Sequence, residues 1–201
     1  MKLIWITAVL FAFTGSAFAE EVSVLNTTSK VSWEGSKVIG SKHHGTLKVK
    51  DGSIVFEKQV PTSAVVVVDM TSIVNTDLTD PKWNAKLVGH LKSDDFFSVK
   101  KFPESKLDIK TFEKITAEKY RLKGELTIKG ITKPVELTAT TVKKDGAVVT
   151  INSELVFDRT DFSIKYGSGK FFQNLGDKMI SDMVKVNVSL NLKKPVKLSS
   201  K

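Results

Sequence analysis

The sequence predicts an all-β chain folded as one antiparallel barrel of about eight strands, with one or two short helices near the barrel mouth. Three observations carry this reading. Apolar and polar residues alternate with a period of two over most of the chain, turn dipeptides separate the alternating runs, and one helical pattern interrupts them midway.

The clearest run sets Tyr120, Leu122, Gly124, Leu126 and Ile128 on one face and Arg121, Lys123, Glu125, Thr127 and Lys129 on the other. Val184, Val186, Val188, Leu190 and Leu192 repeat the pattern, as do Val149, Ile151, Ser153, Leu155 and Phe157. Shorter runs occur at Val135, Leu137, Ala139 and at Leu107, Ile109. Such strands turn one face to an apolar interior and the other to water. The segment 64–70 is apolar on both faces, so a helix or loop is expected to cover it. Asp51-Gly52 and Asp145-Gly146 read as hairpin dipeptides, and Lys129-Gly130 separates two further strands. A helix is expected from Pro81 to Lys92. Asp80 is its N-cap and Pro81 its first residue; Trp83, Leu87, Val88 and Leu91 share a face opposite Lys82, Lys86, His90 and Lys92. A second irregular segment, 167–180, contains Phe171 and Phe172. The lysine-rich polar faces and scarce aromatic residues favour a water-facing exterior over an outer-membrane barrel.

Residues 1–19 read as a cleaved export signal: Lys2 is the positive start, 3–13 the apolar stretch and Ala17-Phe18-Ala19 the small-x-small cleavage site. The barrel domain is then expected over 20–195, followed by a tail at 196–201. The expected compartment is a periplasm, with secretion the alternative. The chain has 201 residues, enough for one domain with a large core or a cavity, and no cysteine, which excludes disulfides and thiolate metal sites. The formal net charge is +9. The lysines are scattered rather than clustered, so the charge suits a solvated surface or an anionic membrane surface, and nucleic acid is not an expected partner.

No motif for a nucleophile, a phosphate loop or a metal-binding helix is present, and no cofactor or metal is expected. His43 and His44 are adjacent and would point to opposite faces of a strand. Asp158-Arg159-Thr160-Asp161, with His44, is the best acid–base candidate; the favoured reading is an arginine holding a strand end. Small inward residues (Gly124, Ala139, Ser153) favour a cavity.

Three segments resemble a known family: His90-Leu91-Lys92-Ser93-Asp94-Asp95-Phe96-Phe97 ending at Phe102-Pro103, Gly124-Glu125-Leu126-Thr127-Ile128-Lys129-Gly130-Ile131-Thr132-Lys133-Pro134-Val135, and Asp158-Arg159-Thr160-Asp161-Phe162-Ser163-Ile164. In this order and spacing the chain is similar, over 31–192, to the YceI-like family of bacterial, lipocalin-like, polyisoprenoid-binding proteins. Trp33-Glu34-Gly35-Ser36-Lys37 with His44-Gly45, and Gly176-Asp177-Lys178, resemble one branch of it. The resemblance implies a lipocalin-like barrel, a location in the periplasm or outside the cell, no established enzymatic activity, and a long isoprenoid or similar amphiphile (a quinone, a polyprenyl lipid or a fatty amide) in the lumen. The lumen would be lined by Trp33, Phe56, Leu107, Ile109, Leu122, Leu126, Ile128, Leu137, Ile151, Leu155 and Phe157. Trp83, Leu87, Leu91, Phe96 and Phe97 would close the mouth, or else pack outside the valine-rich strand. Arg159, His43, His44 and Lys165 are the candidates for meeting a polar head group. The alternatives are an interaction module and an enzyme acting on a lumen-bound lipid.

Overall fold

The alternating runs form nine strands: β1 Ala19–Ser23, β2 Lys30–Ser36, β3 Lys42–Glu57, β4 Val60–Asn75, β5 Glu104–Lys114, β6 Lys119–Ile128, β7 Ile131–Lys144, β8 Ala147–Asp158 and β9 Met183–Val196. One helix, α1 Pro81–Lys92, lies between β4 and β5. The structure, a computed structural model, describes residues 19–198. Neighbouring strands run antiparallel in the order β3-β2-β9-β8-β7-β6-β5-β4, and β4 pairs back onto β3 to close the ring. Eight strands thus form the barrel, as the alternation predicts, and the ninth, β1, lies along the second half of β3. The expected export signal lies outside the described residues apart from Ala19, which opens β1. At the other end β9 continues through Val196, which is buried, and Leu198 packs on the core. The fold therefore extends into the segment expected to be a tail.

Three hairpins are two-residue turns with both residues at positive φ: Lys58-Gln59, Lys129-Gly130 and Asp145-Gly146. That geometry matches the right-handed twist of the flanking strands. The last two stand where the dipeptides place them. Asp51-Gly52 does not: it lies inside β3 at a register shift, with Gly52 opposite Val66. Glycine within a strand marks an irregularity or a close approach, and here a Cβ would stand 3.1 Å from the Val65 carbonyl oxygen and 3.4 Å from the Val24 side chain.

Antiparallel order gathers the β2–β3, β4–β5, β6–β7 and β8–β9 connections at one end, the mouth. At α1, the Asp80 carboxylate accepts from the backbone N–H groups of Lys82 and Trp83 at 2.8 and 3.0 Å. The Asn84 amide donates to the Asn75 carbonyl at 3.1 Å, fixing the helix to the mouth end of β4. The helix does not cover the valine run. Val65 and Val67 are half-buried and pair in register with Asp108 and Lys106 of β5.

Gly124 does not add cavity room, contrary to the expectation. A Cβ there would stand 2.2 Å from the Asp108 carbonyl oxygen and 2.8 Å from the Ile109 Cα, so β5 backbone occupies the space. Gly124→Ala is expected to destabilise by about 1–3 kcal/mol through overpacking. The check is a lower urea midpoint at unchanged slope.

Candidate functional site

The buried apolar side chains fall into two groups. The larger includes Trp33, Phe56, Ile109, Leu122, Leu155 and Phe157; the smaller is Val24, Val31, Val49, Val66, Val188 and Leu190. Leu47, Leu107 and Val186 touch both. Between the groups lies a cavity of about 140 Å³, counted as room for the centres of water molecules. Its wall is almost wholly apolar. From Val184 to Val188 on β9, all three inward valines line it, a depth of about 14 Å at strand rise.

Of the residues expected in the lumen, Trp33, Leu107, Leu126, Ile128, Leu155 and Phe157 line this cavity. Phe56, Ile109, Leu122, Leu137 and Ile151 do not. They are buried and pack the closed half of the barrel, where Phe56 and Ile151 border a void of only about 10 Å³. The lumen is therefore open in its mouth half and filled beyond. Ala139 and Ser153 lie outside the cavity wall as well. The wall also uses Val31, Leu47, Val66, Met70, Ile73 and Val186, none of which is among the residues expected there. Of these, Val186 stands in the alternating run 184–192, whereas Val66 and Met70 lie in the segment that is apolar on both faces.

Leu91, Phe96 and Phe97 close the cavity from above. Trp83 does not: it is 56% exposed and stands in a shallow surface groove with His43, Leu78, Lys86, Leu87 and His90. It lies in the first turn of α1, beyond the barrel rim. Leu87 packs half-buried at the core edge, outside the cavity wall.

Arg159 is 2% exposed and reaches the cavity wall. It follows β8 in a 3-10 turn, Arg159–Phe162, capped by the Asp158 carboxylate, which accepts from the Thr160 N–H at 2.8 Å. Its Nε donates to the Ser181 carbonyl at 3.0 Å and its Nη1 to the Ile164 carbonyl at 2.8 Å. Its Nη2 donates to the Ile180 carbonyl at 3.2 Å and to Asp182 Oδ1 at 3.3 Å. Burial lowers its pKa, while Asp182 and Asp158 act against that. The guanidinium thus ties both ends of the β8–β9 connection. Burial alone would raise the Asp158 pKa, but Lys170 and Thr160 outweigh it and hold the carboxyl below its ordinary value. A general acid needs the opposite shift.

The remaining head-group candidates lie off the cavity wall. Lys165 is exposed, its Nζ 4.7 Å from the Phe171 ring centre. His43 Nδ1 is 2.8 Å from Asp77 Oδ2, and His44 Nδ1 is 3.0 Å from Thr76 Oγ1. The His44 N–H and the Asn75 amide also donate to Asp77 Oδ1. Burial would raise the Asp77 pKa, but these hydrogen bonds prevail and lower it from 3.8 to about 2. Because the folded value lies below the unfolded one, the contribution is complete above about pH 4 and is lost as pH falls through about 2. Asp77→Asn is expected to remove about 2 kcal/mol of that acid dependence, checked by urea unfolding across this range.

A family model described as the YceI-like domain matches residues 23–192. The chain belongs to that family. A UPF0312 protein of Pseudomonas putida strain W619 is 33% identical over 177 residues, covering 84% of this chain and 88% of its own length. The solved YceI protein of Campylobacter jejuni is 27% identical with a TM-score of 0.53, covering 73% of this chain and 83% of that one. A polyisoprenoid binding domain from Saccharophagus degradans shares the fold at 17% identity and a TM-score of 0.58, covering 87% of this chain and 98% of its own.

In this YceI-like chain the three segments that carried the resemblance meet at the mouth. Residues 90–97 end α1 and roof the cavity, 124–135 form the β6–β7 hairpin, and 158–164 hold the Arg159 turn. Lys129 Nζ, on the hairpin, donates to the Asp94 carbonyl at 3.5 Å and to the Ser163 carbonyl at 3.4 Å, joining all three. Partial burial lowers its pKa.

Proposed function

We propose that this YceI-like barrel is a carrier that shelters the chain end of an isoprenoid or similar amphiphile in its mouth-half cavity, without transforming it. The observation that carries this is the apolar cavity itself, walled by both core groups and roofed by Leu91, Phe96 and Phe97. The fold shared with a domain named for polyisoprenoid binding supports it. Each buried CH₂ contributes about 0.8 kcal/mol, so a short apolar segment already binds, and a wall with few polar groups selects weakly among chains. The head group stays at the mouth in water, since burying it unpaired costs several kcal/mol. Solvent extraction of the purified protein followed by mass spectrometry should release a prenyl or acyl amphiphile, chemically unchanged. A refolded, ligand-free protein with no affinity for any quinone, polyprenol or fatty amide overturns the reading.

Export to the periplasm with cleavage after Ala19 completes the proposal. Cleavage there would leave Glu20–Ser23 of β1 to pair with β3. N-terminal sequencing of the periplasmic fraction should read from Glu20.

A further inference from the structure

The mouth carries a surface that the cavity does not explain. All four exposed aromatic residues among the described ones, Trp83, Tyr166, Phe171 and Phe172, stand on its connections. So do Val38 and Ile39, the two most exposed large apolar residues, at 59% and 73%. The connections bearing them are joined. The Val38 N–H donates to the Met179 carbonyl at 2.9 Å, linking the β2–β3 and β8–β9 loops. The Tyr166 ring centre lies 4.5 Å from that of His90, linking the latter loop to α1. Solvent-exposed apolar residues grouped at one end of a barrel mark an interaction surface.

Charge identifies the partner. Lys37, Lys82, Lys86, Lys165 and Lys178 are exposed on the same connections and have no carboxylate partner among the described residues. Lys86 Nζ lies 5.0 Å from the Trp83 ring centre, and Lys165 is placed similarly over Phe171. Asp80, Asp94, Asp95, Asp161 and Asp177 are exposed on the same connections and offset part of this charge; Asp94 pairs with Lys101 and Asp95 with His90. Aromatic tips interleaved with lysines suit the boundary between headgroups and acyl chains of an anionic bilayer. The cavity lies in this same half of the barrel, beneath Leu91, Phe96 and Phe97, and holds only about 14 Å of depth along a strand. Docked mouth-down, the barrel would receive a chain end without exposing the rest to water.

We propose that the mouth loops dock this protein onto an anionic lipid bilayer through Ile39, Trp83, Phe171 and Phe172. The proposal rests on the carrier reading. The test is flotation with phosphatidylcholine vesicles, with and without one-third phosphatidylglycerol. The protein should float with the anionic vesicles, and added salt should weaken this, because the screening length is about 10 Å at 0.1 M. A triple variant, Trp83→Ser with Phe171→Ser and Phe172→Ser, alters only exposed side chains; its partition should fall at least about tenfold. A control with Ile115→Ser and Val142→Ser, both exposed at the closed end, should float as before. Equal flotation with both vesicle types, equal loss in the control, or no flotation overturns the proposal. So does sedimentation equilibrium showing that the patch joins two copies, broken by the triple variant. Binding of a fluorescent alkyl probe in solution is measured in parallel. Probe binding without flotation sinks docking and leaves the carrier standing; flotation without probe binding does the reverse.

Discussion

Arg159→Met is expected to lower stability by about 3–5 kcal/mol, the usual cost of removing one partner from a buried, hydrogen-bonded ion pair. Four hydrogen bonds disappear at once, leaving the carbonyls of Ser181, Ile164 and Ile180 and the Asp182 carboxylate without their donor. Lysine in its place restores little, because three carbonyls in different directions require the planar fork. Urea unfolding reads the loss, and hydrogen exchange should show it first between β8 and β9. Affinity for a headed ligand and for a plain alkyl chain should fall in the same proportion, since the guanidinium is committed to the protein. A variant of normal stability that loses only the headed ligand would instead assign Arg159 to the head group.

The second large effect concerns ligand affinity rather than stability. Val186 faces the middle of the cavity, between Trp33 on β2 and Leu155 on β8. Val186→Phe is expected to displace about four methylenes of a bound chain, or about 3 kcal/mol, which is roughly a hundredfold in Kd. Stability should change by less than about 1.5 kcal/mol, because the ring enters empty space. A fluorescent alkyl probe and a thermal melt measure the two sides. Unchanged affinity would mean that the chain binds elsewhere.

Period-two alternation made the strands legible because every barrel strand has one face inside. It also named the inward residues, but not which of them leave room. That depends on how far opposite walls stand apart: Ile109 and Leu122 meet partners across the closed half, whereas Leu107 and Leu155 face a gap. The Lys58-Gln59 hairpin escaped notice because neither residue is among those that favour positive φ, so register rather than residue preference fixes that turn. Asp51-Gly52 misled for the converse reason, since the same dipeptide here stands at a register shift within a long strand. Trp83 shares a helical stripe with Leu91, yet periodicity cannot show that the first turn of α1 overhangs the rim. The structural role of Arg159 was readable from the charged Asp158–Asp161 cluster, but its carboxylate partner Asp182 and two of its three carbonyl partners, Ile180 and Ser181, come from the far end of an irregular loop.

The order of strands around the ring bears on how the chain reaches this state. Every pairing in the barrel joins strands consecutive in sequence except β2 with β9. That seam matches Lys30–Glu34 against Ser189–Lys185, so closing it spans nearly the whole chain and carries the largest loop-closure cost. The meander from β2 to β9 can zip hairpin by hairpin, leaving the seam for last. Weakening it, for example with Ser32→Pro, should hasten unfolding far more than it slows folding. An open-seamed sheet is also the species most exposed to self-association, with two unpaired edges and a divided apolar face. For this barrel the hazard of misassembly is concentrated in one line of hydrogen bonds.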